Sequence, residues 1–255
     1  MATAKKSTNE KGKRYAYFLT AEITFTTPLL ATNPGNDAIY SEYIANLATD
    51  EERAEEIKRL GLDEVDRKGM TVFLRDLDDP MIPLLKDYTW LGYLKARAKA
   101  LVKIPNTSVN SMKAYIKEID NLIEVTPRFQ PLILPEGEGI GILTKDQIRQ
   151  QKLEGVAADG VDALERPLRA ETMQGDRVAL SKSESVPIGT KVKVTFRCER
   201  KEGMDLVKEC LDYGSVHGTG QWRNAGFGRF TWEKVDAWRE EIDNSIMTDD
   251  DFPIR

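Results

Sequence analysis

The stretch RYAYFLTAEITFT, residues 14–26, alternates from end to end. Tyr17, Leu19, Ala21, Ile23 and Phe25 occupy one side, and Phe18, Thr20, Glu22, Thr24 and Thr26 the other. A period of two turns one set toward a core, so the pattern predicts a long strand that Pro28 ends. A second alternation, Lys191–Arg200, sets Val192, Val194, Phe196 and Cys198 against Lys191, Lys193, Thr195 and Arg197. Arg166–Met173 and Arg177–Val186 flank Gln174-Gly175-Asp176 and read as a hairpin. FGRFTWEKV, 227–235, reads as a last strand with Phe230 and Trp232 on one face. Helical spacing appears in WLGYLKARAKALVK, where Leu91, Leu94, Ala98 and Leu101 form a stripe. Thr89 is its expected cap, and Lys95, Arg97, Lys99 and Lys103 decorate the remainder. Residues 204–214 form a second helix with Val207, Cys210, Leu211 and Gly214 on one side. A helix is also expected over 108–121 and a short strand over Phe129–Leu134. Asn33-Pro34-Gly35-Asn36 reads as a turn. Thr49 and Glu52 fit a capping box opening a charged helix that Gly61 ends. GEGIGI at 137–142 reads as a turn or bulged strand.

Reduced to essentials, the order is strand, helical insert, helix, strand pair, strand, helix, glycine loop, strand. That is the β-α-β-β-α-β plan of a ferredoxin-like or RNA-recognition-type α+β fold, with helices on one face of an antiparallel sheet. The expected organisation is a disordered polar segment 1–13, a domain over 14–235 and an acidic tail 236–255. The domain carries the helical insert at 33–70 and a mobile segment at 144–165.

Composition narrows the class. The chain has 255 residues, 40% hydrophobic and 31% charged, an ordinary globular make-up. No apolar run approaches the roughly 18–20 residues that span a bilayer, so no membrane association is expected. The polar N-terminus lacks the apolar core of a secretory signal. Cys198 and Cys210 have no metal-type spacing, and two lone thiols suit a reducing, cytoplasmic setting. The net charge is −5. Any anion site is therefore a local basic patch on an acidic body.

The densest chemistry lies in HGTGQWRNAGFGRF, 217–230. Gly218, Gly220, Gly226 and Gly228 are spaced G-x-G-x₅-G-x-G. This is not the dinucleotide fingerprint, because Arg223 stands where a glycine is needed and the loop follows a helix. Glycine permits positive φ and close backbone approach, and exposed loop amides can cradle an anion. Arg223 and Arg229 add charge. Trp222 and Phe227 either offer a stacking surface or enter the core. With Lys95 and Lys99 on the helix, and Lys191, Lys193 and Arg197 on the strand, the loop makes a candidate site for a sugar-phosphate backbone.

At these residues the sequence resembles the RAMP superfamily, the repeat-associated proteins of CRISPR systems. Their C-terminal loop follows G-h-G-x₅-G-h-G, with h hydrophobic. Phe227 fills the second h, and Thr219 stands at the first. RVALSKSESVPIGTKVKVTF, 177–196, resembles the family's strand, Glu-Xaa-Val-Pro turn and strand. MIPLLKDYTWLGYLKARAKAL, 81–101, resembles the start of its first helix, without the usual glycine after Pro83. The likeness covers 14–26 and 81–235, not the insert or the tail. It implies a core that binds guide RNA as a repeating backbone subunit or a cap, without a cofactor. The implied partners are single-stranded RNA, or single-stranded DNA, and other RAMP-like subunits or further copies of this chain.

Some members cleave RNA with a histidine or an aspartate. Asp37 and His217 are the candidates here, and neither has a visible proton-transfer partner. No H-x-x-E, C-x-x-C or clustered carboxylates suggest a metal. A non-enzymatic protein is expected. Two other readings stay open. One is a virus- or mobile-element-encoded scaffold that docks on or inhibits an effector complex. The other is an endoribonuclease using Asp37 or His217.

Overall fold

The computed structural model describes residues 14–34, 49, 51–52, 59, 70–110, 112–136, 166–172 and 175–242. In chain order the strands begin with β1 (Arg14–Phe25), β2 (Leu29–Leu30), β3 (Asn33–Pro34), β4 (Met70–Val72), β5 (Leu74–Arg75) and β6 (Pro83–Lys86). Helices α1 (Asp87–Leu101) and α2 (Tyr115–Leu122) follow, then β7 (Ile123–Thr126), β8 (Phe129–Pro131), β9 (Arg166–Thr172), β10 (Gly175–Ser183) and β11 (Ser185–Val186). The last elements are β12 (Lys191–Cys198), α3 (Lys201–Asp212) and β13 (Phe230–Ile242).

The architecture is α+β with a ferredoxin-like core. The main sheet runs β13-β1-β12-β7, with all three pairings antiparallel. Numbered along the core alone, that is the order 4-1-3-2, with α1 and α3 as the crossovers. The period-two reading holds for β12 and for Leu19–Phe25 of β1, and slips nearer the start of β1, where Ala16 is buried and Tyr17 half-buried. Leu19, Ala21, Ile23, Phe25, Val192, Val194, Phe196 and Cys198 all show no exposed surface. They meet Trp90, Tyr93, Leu94 and Ala98 of α1 and Leu206, Val207, Cys210 and Leu211 of α3. Trp90 is the centre: its ring lies edge-on to Tyr93, Phe196 and Phe230, and its indole N–H donates to Gln130 Oε1 at 2.7 Å. Buried aromatics packed this way contribute beyond their area, and a buried indole N–H needs its acceptor.

Several expectations change. The second core strand is β7, which the sequence reading passed over. The expected strand pair forms a hairpin, but β9 and β10 join β3 and β4 in a separate sheet. Gly175 and Asp176 already lie in β10, paired with Thr172 and Glu171, so they are strand residues and not part of a turn. Asn33 and Pro34 lie in β3, not in a turn, and Asn33 Nδ2 donates to Val72 O. Helix α1 starts at Asp87, which places Thr89 inside the first turn. Arg97 is buried, not part of the solvated remainder of that helix. Helix α2 starts only at Tyr115, because Ala114 takes a left-handed φ of 59°. The last strand continues to Ile242, beyond the expected 235. The capping box forms as read: Thr49 N donates to Glu52 Oε2 at 2.8 Å, and Glu52 N to Thr49 Oγ1 at 3.4 Å. GEGIGI and the segment 144–165 lie outside the described residues.

Candidate nucleic-acid interface

The glycine loop joins α3 to β13, and its ends are tied together. Thr219 N donates to Gly228 O at 2.9 Å, and Gly228 N to Pro28 O at 2.9 Å. Arg229 N donates to Thr27 Oγ1 at 2.8 Å. A side chain at Gly218 or Gly228 has no room: a Cβ there would lie 2.2 Å from Phe227 O or 2.0 Å from Thr219 O. Gly220, with φ 76°, presses on Leu29 and Leu30. Gly226 is different. Its φ is 94°, but the nearest atom to an added Cβ is Arg229 Nη2 at 3.5 Å. Three glycines are thus there for close approach and one for conformation alone.

Trp222 is not in the core. It is 40% exposed, holds a left-handed φ of 52° and stacks on Phe227 at 5.2 Å and 9°. Ser183 Oγ donates to Gln221 Oε1 at 3.1 Å, and Thr71 Oγ1 donates to Ser183 Oγ at 2.8 Å. The loop is therefore tethered to the second sheet.

The cations split into groups. Arg223 is half-buried and Arg229 exposed, and neither has an ion pair or side-chain hydrogen bond among the described residues. Arg97 of α1 lies within electrostatic reach of Arg223. It is only 9% exposed, its Nε has no hydrogen-bond partner, and its guanidinium carbon lies 5.9 Å from the Tyr93 ring centroid. Burial lowers its pKa, and the nearby Arg223 charge lowers it further, although a guanidinium stays protonated. His217 stacks on Tyr213 at 5.4 Å. Burial, then Arg97 and Arg229, hold its pKa below the ordinary value of 6.5. Arg97 is thus within electrostatic reach of Arg223 and of His217, and His217 of Arg229, and no carboxylate pairs with any of the three arginines among the described residues. Nothing in the sequence separated Arg97 from the other basic residues of its helix.

The remaining candidates lie elsewhere. Lys95 and Lys99 sit two residues either side of Arg97, and so point about 200° around the helix from it. Lys95 pairs with Asp120 of α2 at 2.8 Å, while Lys99 is exposed. Lys191, Lys193 and Arg197 occupy the sheet face away from the helices. There Lys191 pairs with Glu22 at 2.7 Å, and Arg197 with Glu199 at 3.2 Å and Glu124 at 3.6 Å. Lys193 is exposed and sits opposite Glu22 in the β1–β12 register. That face is mixed in charge, not basic. Asp37 lies outside the described residues.

Chemistry beyond binding finds few groups. Burial pushes Cys210 up to about 12 and raises Cys198, so neither thiol is a nucleophile near neutrality. Among the described residues no three His, Cys, Asp or Glu side chains group as metal ligands. No described helix is long and apolar enough to cross a membrane.

A cavity of about 220 Å³ adjoins the cationic cluster, between the first turns of α1 and the loop. Thr32, Tyr88, Thr89, Gly92, Tyr93, Thr219, Gly220 and Arg223 line it. A cleft of about 310 Å³ between β13 and α3, with Tyr17, Met204 and Trp238 in its walls, contains none of the loop residues.

No protein-family model matches the chain, and no curated protein sequence matches it. Solved structures do. One is a chain in the cryo-EM structure of the Type III-B Cmr-beta bound to cognate target RNA, with a TM-score of 0.40 and 8% identity. The match covers 89% of this chain and 61% of that one, so this chain spans about three-fifths of that relative's length. Another is a chain of a Type IV-B CRISPR complex, with a TM-score of 0.40 and 11% identity, covering 86% of this chain and 90% of that one.

Proposed function

We propose that this chain is a non-enzymatic RNA-binding protein of the RAMP type, holding the backbone of single-stranded RNA within a ribonucleoprotein. The observation that supports the reading is that Arg97, Arg223 and Arg229 have no carboxylate partner among the described residues, with Arg97 in electrostatic reach of Arg223 and both Arg97 and Arg229 in reach of His217. In an acidic protein where Arg14, Arg75, Arg128, Arg197 and Arg200 all sit in ion pairs, three guanidinium groups without a carboxylate partner among the described residues call for an external anion. A buried cation with an unpartnered Nε is costly unless a ligand completes it. Arginine suits phosphate through its planar fork of donors. Contacts of this kind position a backbone without reading sequence. The resemblance of the loop to that of the RAMP superfamily supports the same reading.

Titrating purified protein with mixed-sequence single-stranded RNA tests it. Binding is expected at low ionic strength and should weaken steeply as salt rises. Arg223→Ala should weaken binding to all sequences alike and reduce the salt slope by about one unit. It should leave folding stability within about 0.5 kcal/mol, because the half-buried side chain makes no ion pair or hydrogen bond among the described residues. No RNA should be cut, and His217→Ala or Asp37→Ala should change nothing in that respect.

A second reading, docking on a protein partner, is favoured by the outer edge of β13. Glu233, Asp236 and Glu240 form no ion pair there among the described residues, and Trp238 is 38% exposed. Absence of binding to both RNA and DNA at low salt would favour it.

A further inference from the structure

We infer that the Trp222 indole is a platform on which one unpaired base of the bound strand stacks. This rests on the proposed RNA-binding reading and adds a base subsite to its phosphate contacts. The backbone of Trp222 holds φ 52° and ψ 27°. For a bulky side chain this left-handed conformation is a strained outlier. Glycine enters it freely, and the same loop uses glycine for positive φ at 220, 226 and 228. The turn therefore does not select tryptophan. Burial does not select it either, since the residue is 40% exposed. Strain of this kind persists where the surroundings hold it, and it concentrates at ligand clamps.

The surroundings do hold the ring. Phe227 lies parallel to it, with centroids 5.2 Å and planes 9° apart, and is itself half-buried. Gly228, next along the chain, is tied to Pro28 O through its N–H at 2.9 Å. On the other flank, Gln221 Oε1 accepts from Ser183 Oγ at 3.1 Å. The turn Arg223–Ala225 follows at once, with Ala225 N donating to Trp222 O at 2.9 Å. A flat ring fixed in this way is pre-organised, so little freedom is lost when another flat ring lies against it. Position names that other ring. Trp222 is bonded directly to Arg223, which has no ion pair among the described residues and lies in electrostatic reach of Arg97. A strand whose phosphate meets Arg223 carries a base a few bonds away. Every nucleobase has a π-face, so stacking tolerates any sequence, as phosphate contacts do.

The test uses a mixed-sequence single-stranded RNA and an oligonucleotide of the same length built from abasic tetrahydrofuran residues. Each is titrated into the full-length wild type, Trp222→Phe and Trp222→Ala, with melting curves for all three. Trp222→Ala should weaken RNA binding roughly 5–150-fold, the loss of one stacked base. Its salt slope should not change, because no charge is removed. Trp222→Phe should recover most of the affinity. The abasic strand should bind all three proteins alike. Tryptophan fluorescence gives a reading that does not depend on how Trp222→Ala folds. RNA should quench it in the wild type and much less in Trp222→Phe, and the abasic strand should quench neither. Equal loss of RNA and abasic-strand affinity in Trp222→Ala overturns the platform and makes the ring a support of the loop. RNA affinity unchanged in Trp222→Ala also overturns it and leaves the ring to a protein contact. In either case, weaker binding of both strands to Arg223→Ala keeps the backbone-binding reading. If neither strand binds the wild type, both readings fall together.

Discussion

At single residues the structure separates causes that the sequence merges. The four loop glycines look alike in the chain, yet only Gly218, Gly220 and Gly228 press against other atoms. Gly228→Ala should therefore cost about 3 kcal/mol or more, because left-handed strain adds to a backbone clash. Gly226→Ala should cost about 1–2 kcal/mol, from strain alone. Urea denaturation of the two variants checks the order. Arg97 is a residue kept at a cost. Arg97→Met should raise stability by about 0.5–2 kcal/mol, as replacement of a strained functional group commonly does. The same change should weaken RNA binding by about tenfold or more. Paired melting and binding measurements decide this, and a less stable Met variant would show that the guanidinium supports the fold. His217 sets the pH response. Its folded pKa lies below the unfolded value, so its share of stability is present above about pH 6.5 and lost as pH falls toward the folded value. A phosphate beside it offsets the arginine charges and favours protonation. RNA affinity should therefore rise between pH 7.5 and 5.5, and His217→Asn should flatten that rise.

At the scale of elements, legibility followed locality. β1 and β12 were readable because each buries one face against helices, which writes strict alternation into the sequence. β7 was not, because four residues, IEVT, directly after a helix give too short a period to stand out. The β9–β10 hairpin was visible as a hairpin, but its choice of sheet depends on distant partners that no local pattern encodes. Helix α1 misled for a related reason. Its buried arc includes Trp90, Tyr93 and Arg97 as well as Leu94, Ala98 and Leu101 of the expected stripe, because α2 and α3 pack against it beside the sheet, and Leu91 is only partly buried. The cation site was thus legible at Arg223 and Arg229, which the glycine spacing flags, and illegible at Arg97. The place where β4 gives way to β5 and β10 to β11 carries its own prediction. Glu184 has no exposed surface and accepts from Phe73 N at 2.8 Å and Arg75 Nη2 at 2.5 Å. Burial raises the Glu184 carboxyl and lowers Arg75, opposing their mutual attraction. Glu184→Leu leaves a buried arginine alone and should cost about 3–5 kcal/mol. Adding Arg75→Met should restore most of it, measured by denaturant unfolding of the single and double variants.

For the whole molecule the central point is where positive charge is free. The chain is acidic overall, and the open sheet face answers its lysines and Arg197 with glutamates. At the glycine loop, Arg97 and Arg223, from two distant segments, come within electrostatic reach of each other without that neutralisation among the described residues. The decisive measurement is a salt titration, about 50 to 200 mM, of single-stranded RNA binding to three proteins. They are the wild type, Arg97→Met/Arg223→Ala/Arg229→Ala, and Lys191→Ala/Lys193→Ala. The account predicts that the loop variant loses most of its affinity and about two to three units of salt slope, while the sheet-face variant keeps both. Loss of binding in the sheet-face variant with the loop variant unaffected would contradict it.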